Sequence, residues 1–244
     1  MIKKERLDVL AQQSAPHLTR NQIQSFIMQG KVLVEGEVVT KAGQIFSADV
    51  VITIIDSTPK FVCRAGFKLE KALQEFDFNV QGLVILDAGL STGGFTDCLL
   101  QNGAAKIFGV DVGRGQVHES IRKDPRVNVM EQINLRYVTS VGELVDLVTL
   151  DLSFISVLKV MDAVKAVLKS DGHLIVLIKP QFEAARHEVG RGGVIKDEGI
   201  HKQVVEQVTQ GIVLHGFEYK RCIESPILGA AGNKEFLAFF KRIA

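Results

Sequence analysis

Two lysines and two acids stand where a protein could use them for proton transfer. Asp151 directly follows the apolar run DLVTL, and Lys179 follows the apolar run HLIVLI. Both runs are typical of buried strands, so each charged group emerges at the edge of a core, where an unpaired charge is costly. Lys68, in CRAGFKLEKAL, and Glu235, in AGNKEFLAFF, would complete the set. A lysine beside a second cation loses its proton more readily and can act as a general base that the acids orient.

Each member of this set also has a purely structural interpretation. Lys68 could be a solvated residue of an amphipathic helix, Lys179 could cap a strand before Pro180, and Glu235 could be an ordinary charge at a strand edge. Taken singly, these interpretations are favoured for every member except Asp151. Taken together with the glycine-rich segment described next, the catalytic interpretation is favoured.

The segment VILDAGLSTGGFTDCLL passes from an apolar run through an acid and glycines to a second apolar run. Its glycines, Gly89, Gly93 and Gly94, fit neither the G-x-G-x-x-G dinucleotide fingerprint nor the G-x-x-x-x-G-K-[ST] phosphate loop. Asp87 ends one strand and Asp111 ends the next, at the offset where an acid meets ribose hydroxyls. A cofactor with a ribose and an amino-acid tail but no pyrophosphate, such as S-adenosylmethionine, fits better than NAD. The alternative is that the glycines only let a helix pack on a strand, while Asp111 caps a turn.

An alternation of strands and helices from residue 82 onward would position these groups. Apolar patterning predicts four strands, LVILD, KIFGVDVG, LVDLVTLDLS and HLIVLIKP. It also predicts a helix in FTDCLLQNG and a long helix in SVLKVMDAVKAVLKSDG that ends at Gly172. This alternation is typical of a parallel sheet covered on both faces, with ligands beyond the carboxyl ends of its strands. Four strand ends that carry polar residues therefore indicate a single crevice.

The first part of the chain has a different texture. Residues 5–30 read as two short helices that break at Pro16 and end at Gly30, and the following residues alternate around Glu35-Gly36 as short antiparallel strands. We therefore predict three segments. They are a small N-terminal domain over residues 1–58, a linker with the first helix of the catalytic domain over 59–81, and the catalytic domain over 82–244.

Composition limits the class of protein. The 244 residues are 46% hydrophobic and 23% charged, which allows a sizeable core, and no continuous apolar segment reaches the roughly 18 residues that a membrane helix needs. Cys63, Cys98 and Cys222 lack the spacing of a zinc site or a disulfide framework. We therefore expect a soluble, cytoplasmic protein without a metal. The net charge of +1 neither requires RNA as a partner nor excludes it.

The stretch RLDVLAQQSAPHLTRNQIQSFIMQGKVLVEGEVVTKAG resembles the αL RNA-binding domain of a small-subunit ribosomal protein and of several RNA-modifying enzymes. The resemblance implies that basic and amide side chains of the two helices and the hairpin contact the RNA backbone, which positions a protein without reading sequence. On pattern alone, a solvated surface of mixed charge is an equal alternative. The RNA-binding residues that the resemblance implies here are Arg6, Arg20, Gln24 and Lys31.

The blocks RAGFKLEKAL, LDAGLSTGGFTDCLL, GVDVGRGQ, LDLSFIS, LIKPQFEAARHEVGRGGVIKD and SPILGAAGNKEFL resemble the TlyA or hemolysin A family. This family is a branch of the FtsJ-like RNA ribose 2′-O-methyltransferases, and the match runs along essentially the whole chain. It implies a Rossmann-like class I S-adenosylmethionine-dependent methyltransferase fold, an α/β fold whose mostly parallel sheet has an antiparallel terminal strand, behind a small α+β αL-type RNA-binding domain. The implied reaction is methyl transfer from S-adenosylmethionine to the 2′-hydroxyl of a cytidine in ribosomal RNA, either free or within a ribosomal subunit.

The resemblance also implies roles for individual residues. The catalytic set falls on Lys68, Asp151, Lys179 and Glu235, with Lys179 taking the proton of the 2′-hydroxyl. The implied cofactor residues are Asp87, Gly89, Ser91, Gly93, Gly94, Phe95, Asp111 and Asn134. Leu90 stands where the family usually has a small residue, so crowding at the methionine end of the pocket is an open question.

Additional RNA contacts are predicted for Arg64, in RAGFKLEKAL, and for Arg186 and Arg191. The last two lie in the glycine-containing segment 183–199, interpreted as a mobile loop beside the site or, alternatively, as a surface crossover without a contact role. Three other function classes compete with methyl transfer. They are a non-catalytic RNA-binding or ribosome-assembly factor, a membrane-active hemolysin, and a NAD-dependent enzyme suggested by the fold alone.

Overall fold

The computed structural model describes residues 4–16, 18–55 and 60–243. The chain divides into two compact units, Met1–Lys60 and Phe61–Ala244. The predicted domain boundary between residues 58 and 59 lies outside the described residues.

The described residues of the N-terminal unit form two short helices and five short strands. They are β1 (Lys4–Arg6), α1 (Leu7–Ser14), α2 (Arg20–Met28), β2 (Val32–Val34), β3 (Glu37–Val38), β4 (Ile45–Ser47) and β5 (Ile52–Ile54). Strand β1 pairs with β4, and β2 lies between β3 and β5, all antiparallel. The hairpin turn at Glu35-Gly36 has φ values of 52° and 82°, as a two-residue turn of this kind requires. The helices and the hairpin agree with the sequence, whereas β1 has no apolar alternation that would have predicted it.

The C-terminal unit contains six α-helices and seven strands within its described residues. The helices are α3 (Ala65–Phe76), α4 (Gly94–Gln101), α5 (Glu119–Lys123), α6 (Met161–Val167), α7 (Pro180–Glu183) and α8 (Glu198–Leu214). The strands are β6 (Val84–Ala88), β7 (Lys106–Asp111), β8 (Val127–Glu131), β9 (Val145–Leu150), β10 (Leu168–Ile178), β11 (Phe217–Glu224) and β12 (Phe236–Arg242).

All seven strands form one sheet with the order β11-β12-β10-β9-β6-β7-β8. Strand β12 is antiparallel to both of its neighbours, and every other pair is parallel. Consecutive residues of β6 enter different cores, with Ile85 in one hydrophobic cluster and Leu86 in the other, because successive side chains of a strand point to opposite faces. The predicted mostly parallel α/β fold with an antiparallel terminal strand is confirmed. The strand order reverses between β6 and β9, and their carboxyl ends are therefore where a ligand crevice is expected.

The helix predicted to run to Gly172 is wrong at its end. Helix α6 stops at Val167, and the next residue, Leu168, already pairs with Val145 in the sheet. Leu168 is buried, and a Cβ on Gly172 would lie 2.5 Å from its side chain. Strand pairing and this close packing therefore override the helical periodicity of the segment.

Candidate active site

A cavity of about 350 Å³ opens at the carboxyl ends of β6, β7 and β9. Residues at or after the ends of these three strands and β8 line it, among them Gly89, Ser91, Asp111, Asn134, Asp151 and Phe154. The order of the strands explains this convergence, because β6 lies between β7 and β9 and the three are parallel. The crevice that the sequence predicted at four polar strand ends is thus present, although the residues after β10 do not line it.

The Asp111 carboxylate organises the loop on one side of the cavity. Its Oδ2 accepts a hydrogen bond from the Ser91 N–H at 2.7 Å, and its Oδ1 accepts one from the Gly113 N–H at 2.6 Å. These two backbone donors fix the orientation of the carboxylate, and each oxygen keeps a second lone pair. An acid fixed in this way at the end of the second parallel strand can receive the two hydroxyls of a ribose.

The backbone at Gly89 passes directly beside Asp151. The φ of Gly89 is +86°, and a Cβ there would lie 2.3 Å from the Asp151 carbonyl oxygen. Only glycine therefore fits at position 89. At this position the glycine-rich segment after β6 contacts the backbone at the end of β9. Leu90 does not crowd the cavity, because its side chain is buried in the hydrophobic cluster and packs over the Cα of Gly109.

Four predicted cofactor residues lie outside the cavity lining. Asp87 is buried in β6, where its carboxylate accepts hydrogen bonds from Thr96 Oγ1 at 2.6 Å and from Thr149 Oγ1 at 2.8 Å. Burial raises the pKa of Asp87 to about 6. The hydrogen bonds from the two hydroxyls lower the pKa but do not cancel the effect of burial. Asp87 is therefore a buried acid that links β6, α4 and β9 and does not line the cavity.

The other three predicted cofactor residues outside the lining shape helix α4. Gly93 caps the helix with a φ of 99°, and a Cβ on Gly94 would lie 2.5 Å from Cys63 Sγ. Phe95 is buried in the hydrophobic cluster that also contains Ile85 and Leu90. The close neighbours of the two glycines are thus Ile121 in α5 and Cys63 with the start of α3, rather than a strand, and the assignment of all three residues to the cofactor stays a prediction.

The structure brings Asp151 and Lys179 together at the edge of the cavity. Lys179 Nζ lies 2.6 Å from Asp151 Oδ1 and donates a hydrogen bond to Ser153 Oγ at 2.9 Å. Lys179 Nζ and Asp151 Oδ1 form an ion pair, but the angle between them does not meet the criterion for a hydrogen bond. Only Asp151 of the pair lines the cavity, and the lysine is therefore held beside the ligand space rather than within it.

Lys68 and Glu235 form the second ion pair of the predicted set. Lys68 Nζ lies 2.5 Å from Glu235 Oε2, and both side chains are more than nine-tenths buried. Extension of the β10–β12 register by one residue places Lys179 opposite Glu235, so the two ion pairs lie at neighbouring strand ends. The structure gives each lysine its own acid.

Phe154 is a feature of the site that the sequence analysis did not single out. Its side chain is 90% exposed, although it lines the cavity, and its φ is +65°. Its ring lies 5.0 Å from the ring of Phe182, centroid to centroid. An exposed aromatic residue in a strained backbone conformation is a signal of function, and the positive φ is not visible in the sequence.

The segment 183–199 is anchored along its second half. Ile195 is buried, and its N–H donates to Asn233 Oδ1 at 3.1 Å, while Asn233 Nδ2 donates to the Gly193 carbonyl at 2.9 Å. A ring nitrogen of His201 lies 3.2 Å from the Ile195 carbonyl oxygen. Residues 193–195 are therefore tied to Asn233 and His201, and the interpretation of the segment as a mobile loop stays a prediction. Arg186 and Arg191 are exposed in it, as is Arg64 at the start of α3.

Three of the predicted RNA-binding residues of the N-terminal unit meet at one carboxylate. Arg6, Arg20 and Gln24 all donate hydrogen bonds to Asp8, and the Arg20 contact spans the gap between α1 and α2. Lys31 lies elsewhere, with its ammonium 5.3 Å from the centre of the Phe26 ring.

Two further properties concern the chain as far as the structure describes it. None of its helices has the length and apolar character needed to cross a membrane. No group of three or more histidine, cysteine, aspartate or glutamate side chains in the described ranges is arranged to hold a metal ion.

The sheet order and the cavity at the strand switch define a Rossmann-like methyltransferase fold. Residues 61–242 match the FtsJ-like methyltransferases and residues 5–52 match the S4 domain. The chain belongs to the FtsJ-like methyltransferases, within the TlyA and hemolysin A group. The membership that the sequence motifs implied is thereby confirmed.

Relatives with known names agree with this family over most of their length. The 16S/23S rRNA (cytidine-2′-O)-methyltransferase TlyA of Mycobacterium tuberculosis is 37% identical, with 99% of this chain and 91% of the relative aligned. Hemolysin A of Brachyspira hyodysenteriae is 38% identical, with 96% and 99% aligned. A solved structure from Streptococcus thermophilus, described as a candidate hemolysin, is 39% identical with a TM-score of 0.76 and covers 100% of this chain and 90% of that one.

Proposed function

We propose that this protein transfers a methyl group from S-adenosylmethionine to the ribose 2′-hydroxyl of a cytidine in ribosomal RNA. The observation that carries the proposal is the Asp151–Lys179 pair, which lies at the rim of a cavity whose opposite side presents the fixed Asp111 carboxylate. The family assignment and the name of the mycobacterial relative support the same reaction. The S4 match over residues 5–52 supports RNA as the substrate.

The cavity residues fit the methyl donor. A volume of about 350 Å³, an acid oriented by backbone N–H groups and a glycine without room for a Cβ suit a ribose held against the backbone. Asn134 lies on the same lining and is assigned to the base of the cofactor. Bound S-adenosylmethionine supplies a methyl group that its sulfonium has already activated.

The task left to the protein is to align a weak nucleophile and to remove its proton. Lys179 Nζ would accept the proton of the 2′-hydroxyl, and the 2′-oxygen would receive the methyl group that bound S-adenosylmethionine supplies. Asp151 and Ser153 hold that nitrogen in place. Positioning of this kind can lower a barrier by several kcal/mol, up to about 7–11 kcal/mol for well-aligned groups.

Lys68 and Glu235 are assigned to the support of Lys179 rather than to contact with the substrate. Their ion pair is buried, and Glu235 is opposite Lys179 in the extended strand register. Phe154, exposed at the cavity mouth, is assigned to stacking against the base of the target nucleotide. Arg64, Arg186 and Arg191 are exposed and are proposed to contact the RNA backbone.

The test is transfer of labelled methyl to purified ribosomal subunits and to their extracted RNA. Wild type is compared with Lys179→Ala and with Lys169→Ala, a matched control whose lysine forms an ion pair with Asp146 at 2.5 Å on the surface. We expect transfer to fall about 10²–10⁴-fold in Lys179→Ala and to be unchanged in Lys169→Ala. Protection of one cytidine from alkaline hydrolysis locates the 2′-O-methyl group.

The same experiment decides between the proposal and its main competitor. If the wild type binds RNA but transfers no label to either subunit or to free RNA, the protein is a non-catalytic RNA-binding or assembly factor. Label that remains sensitive to alkali would show base rather than ribose methylation.

A further inference from the structure

The N-terminal unit contains a fully buried aspartate that none of the roles above uses. Asp8 lies in the first turn of α1 and its side chain has no exposed surface. Its backbone is also held, because its N–H donates to the Ala42 carbonyl oxygen at 3.1 Å. A buried carboxylate is costly unless it is paired, and this one is paired several times over.

Two arginines and a glutamine converge on that carboxylate. Arg6 donates from Nε to Oδ1 at 2.9 Å and from Nη2 to Oδ2 at 3.1 Å. Arg20 donates from Nε at 3.2 Å and from Nη2 at 3.0 Å, both to Oδ2, and Gln24 donates to Oδ2 at 2.8 Å. These contacts hold the pKa of Asp8 well below its usual range.

The arginines remain accessible although they are fixed. Each side chain is 51% exposed, whereas Asp8 is completely covered. Both guanidinium groups turn the same edge, formed by Nε and Nη2, toward Asp8, so a single carboxylate sets the orientation of both. An approaching anion therefore meets two oriented guanidinium groups and not the carboxylate, and the three charges together still sum to +1.

The resemblance already implies that Arg6 and Arg20 contact the RNA backbone, and we propose that Asp8 is the positioning residue that directs both guanidinium groups to one phosphate. The inference rests on the RNA substrate of the proposed function. Guanidinium groups bind phosphate oxygens through paired N–H donors, and fixing them in advance avoids the entropy cost of ordering two long side chains on binding. Gln24 holds the same carboxylate and completes the support.

This arrangement predicts that removing a negative charge from the protein weakens its binding to RNA. Removal of the Asp8 charge makes the RNA-binding unit more positive by one charge, and simple electrostatics would then strengthen RNA binding. If Asp8 positions the arginines, its removal weakens binding instead. The two effects can be separated because they act in opposite directions.

The experiment measures binding of the full-length protein to purified large-subunit and small-subunit ribosomal RNA across a salt series. The variants are Asp8→Asn, Arg20→Lys and Glu37→Gln, the last a control that removes one negative charge from an exposed residue of the same unit. We expect Asp8→Asn and Arg20→Lys to bind about tenfold or more weakly, with a slope against log salt that is smaller by about 1 for each phosphate that the variant no longer neutralises. Glu37→Gln should bind as tightly as wild type or slightly more tightly.

Two further readings exclude a trivial loss of folding and a failure elsewhere. Limited proteolysis of the N-terminal unit should be unchanged in all three variants, which excludes a loss of its folding, and unchanged S-adenosylmethionine affinity excludes a failure in the C-terminal unit. Arg20→Lys also changes a half-exposed residue that keeps its charge. The inference is overturned if Asp8→Asn binds RNA as tightly as Glu37→Gln with the same salt slope, or if the wild type binds neither RNA. If the wild type binds RNA but transfers no methyl group, the proposed reaction fails while the role of Asp8 is still decided.

Discussion

Lys68 and Glu235 are 167 residues apart in the chain, and their charged groups lie 2.5 Å apart in the core of the C-terminal unit. The Glu235 carboxylate is enclosed from the other side by Gly229, where a Cβ would lie 2.1 Å from Oε1. Neither charge can reach water without a rearrangement. The pair therefore joins the start of β12 to α3 and sets a fixed charge pattern behind Lys179.

Breaking this pair from one side should destabilise the protein strongly. We expect Lys68→Met to lower the free energy of unfolding by about 3–5 kcal/mol, because it leaves a buried carboxylate without a partner. The double variant Lys68→Met, Glu235→Gln should recover much of that loss but not methyl transfer. Urea unfolding and methyl transfer measured side by side check this, with the exposed pair Lys106–Glu143 as the control. A double variant that regains full transfer would show that the pair is only structural.

A side chain at position 89 would destabilise the protein in two ways, through contact with the Asp151 backbone and through the positive φ, and the two effects can be measured separately. Gly82 has a similar φ, +77°, but nothing lies within 4 Å of a Cβ built on it. We expect Gly82→Ala to cost about 1 kcal/mol, and Gly89→Ala to cost at least about 2 kcal/mol more and to lose S-adenosylmethionine binding, because the new Cβ must displace the Asp151 backbone. Chemical denaturation and calorimetric titration measure the two effects. Equal costs at both positions would contradict the packing argument.

Asp87 should make stability depend on pH in a direction opposite to that of a salt-bridged acid. Burial raises its pKa from an ordinary 3.8 to about 6, so the folded protein holds a proton that the unfolded chain releases. Its contribution is fully present below about pH 4 and is lost as pH rises through about 6, by up to about 3 kcal/mol. The difference in free energy of unfolding, Asp87→Asn minus wild type, should therefore become more positive between about pH 4 and pH 7. A difference that does not change with pH would refute this assignment.

Asn233 should control the segment that carries Arg191. Asn233→Asp keeps an acceptor for the Ile195 N–H but places a carboxylate oxygen against the Gly193 carbonyl oxygen, which the amide now contacts at 2.9 Å. We expect faster tryptic cleavage at Arg191 and weaker methyl transfer to RNA, with S-adenosylmethionine affinity unchanged. Asn102→Asp, which alters an amide bonded to the Cys98 carbonyl at the end of α4, is the matched control. Unchanged cleavage would show that other contacts hold the segment.

Local patterns were sufficient for most elements of the fold. The positions of β6, β7 and β9, the end of α2 near Gly30 and the turn at Glu35-Gly36 follow from apolar periodicity and from residues that tolerate a positive φ, and both properties are encoded within a few residues. The end of α6 at Val167 was not predictable in this way, because a strand pairing with Val145 decides it.

Motifs and apolar patterns along the chain were enough to predict the family, the parallel sheet and the placement of Asp111 and Asp151 at its carboxyl edge, because parallel strands end at the same side of a sheet. Which charges are partners, and which acids face the cavity, became visible only once the chain was folded. Folding paired Lys179 with Asp151 and Lys68 with Glu235, withdrew Asp87 into a hydrogen-bonded site between two threonines, and placed Asp8 beneath two arginines. Burial and pairing depend on residues far apart in the chain, and their energies are set only when packing removes water from around them.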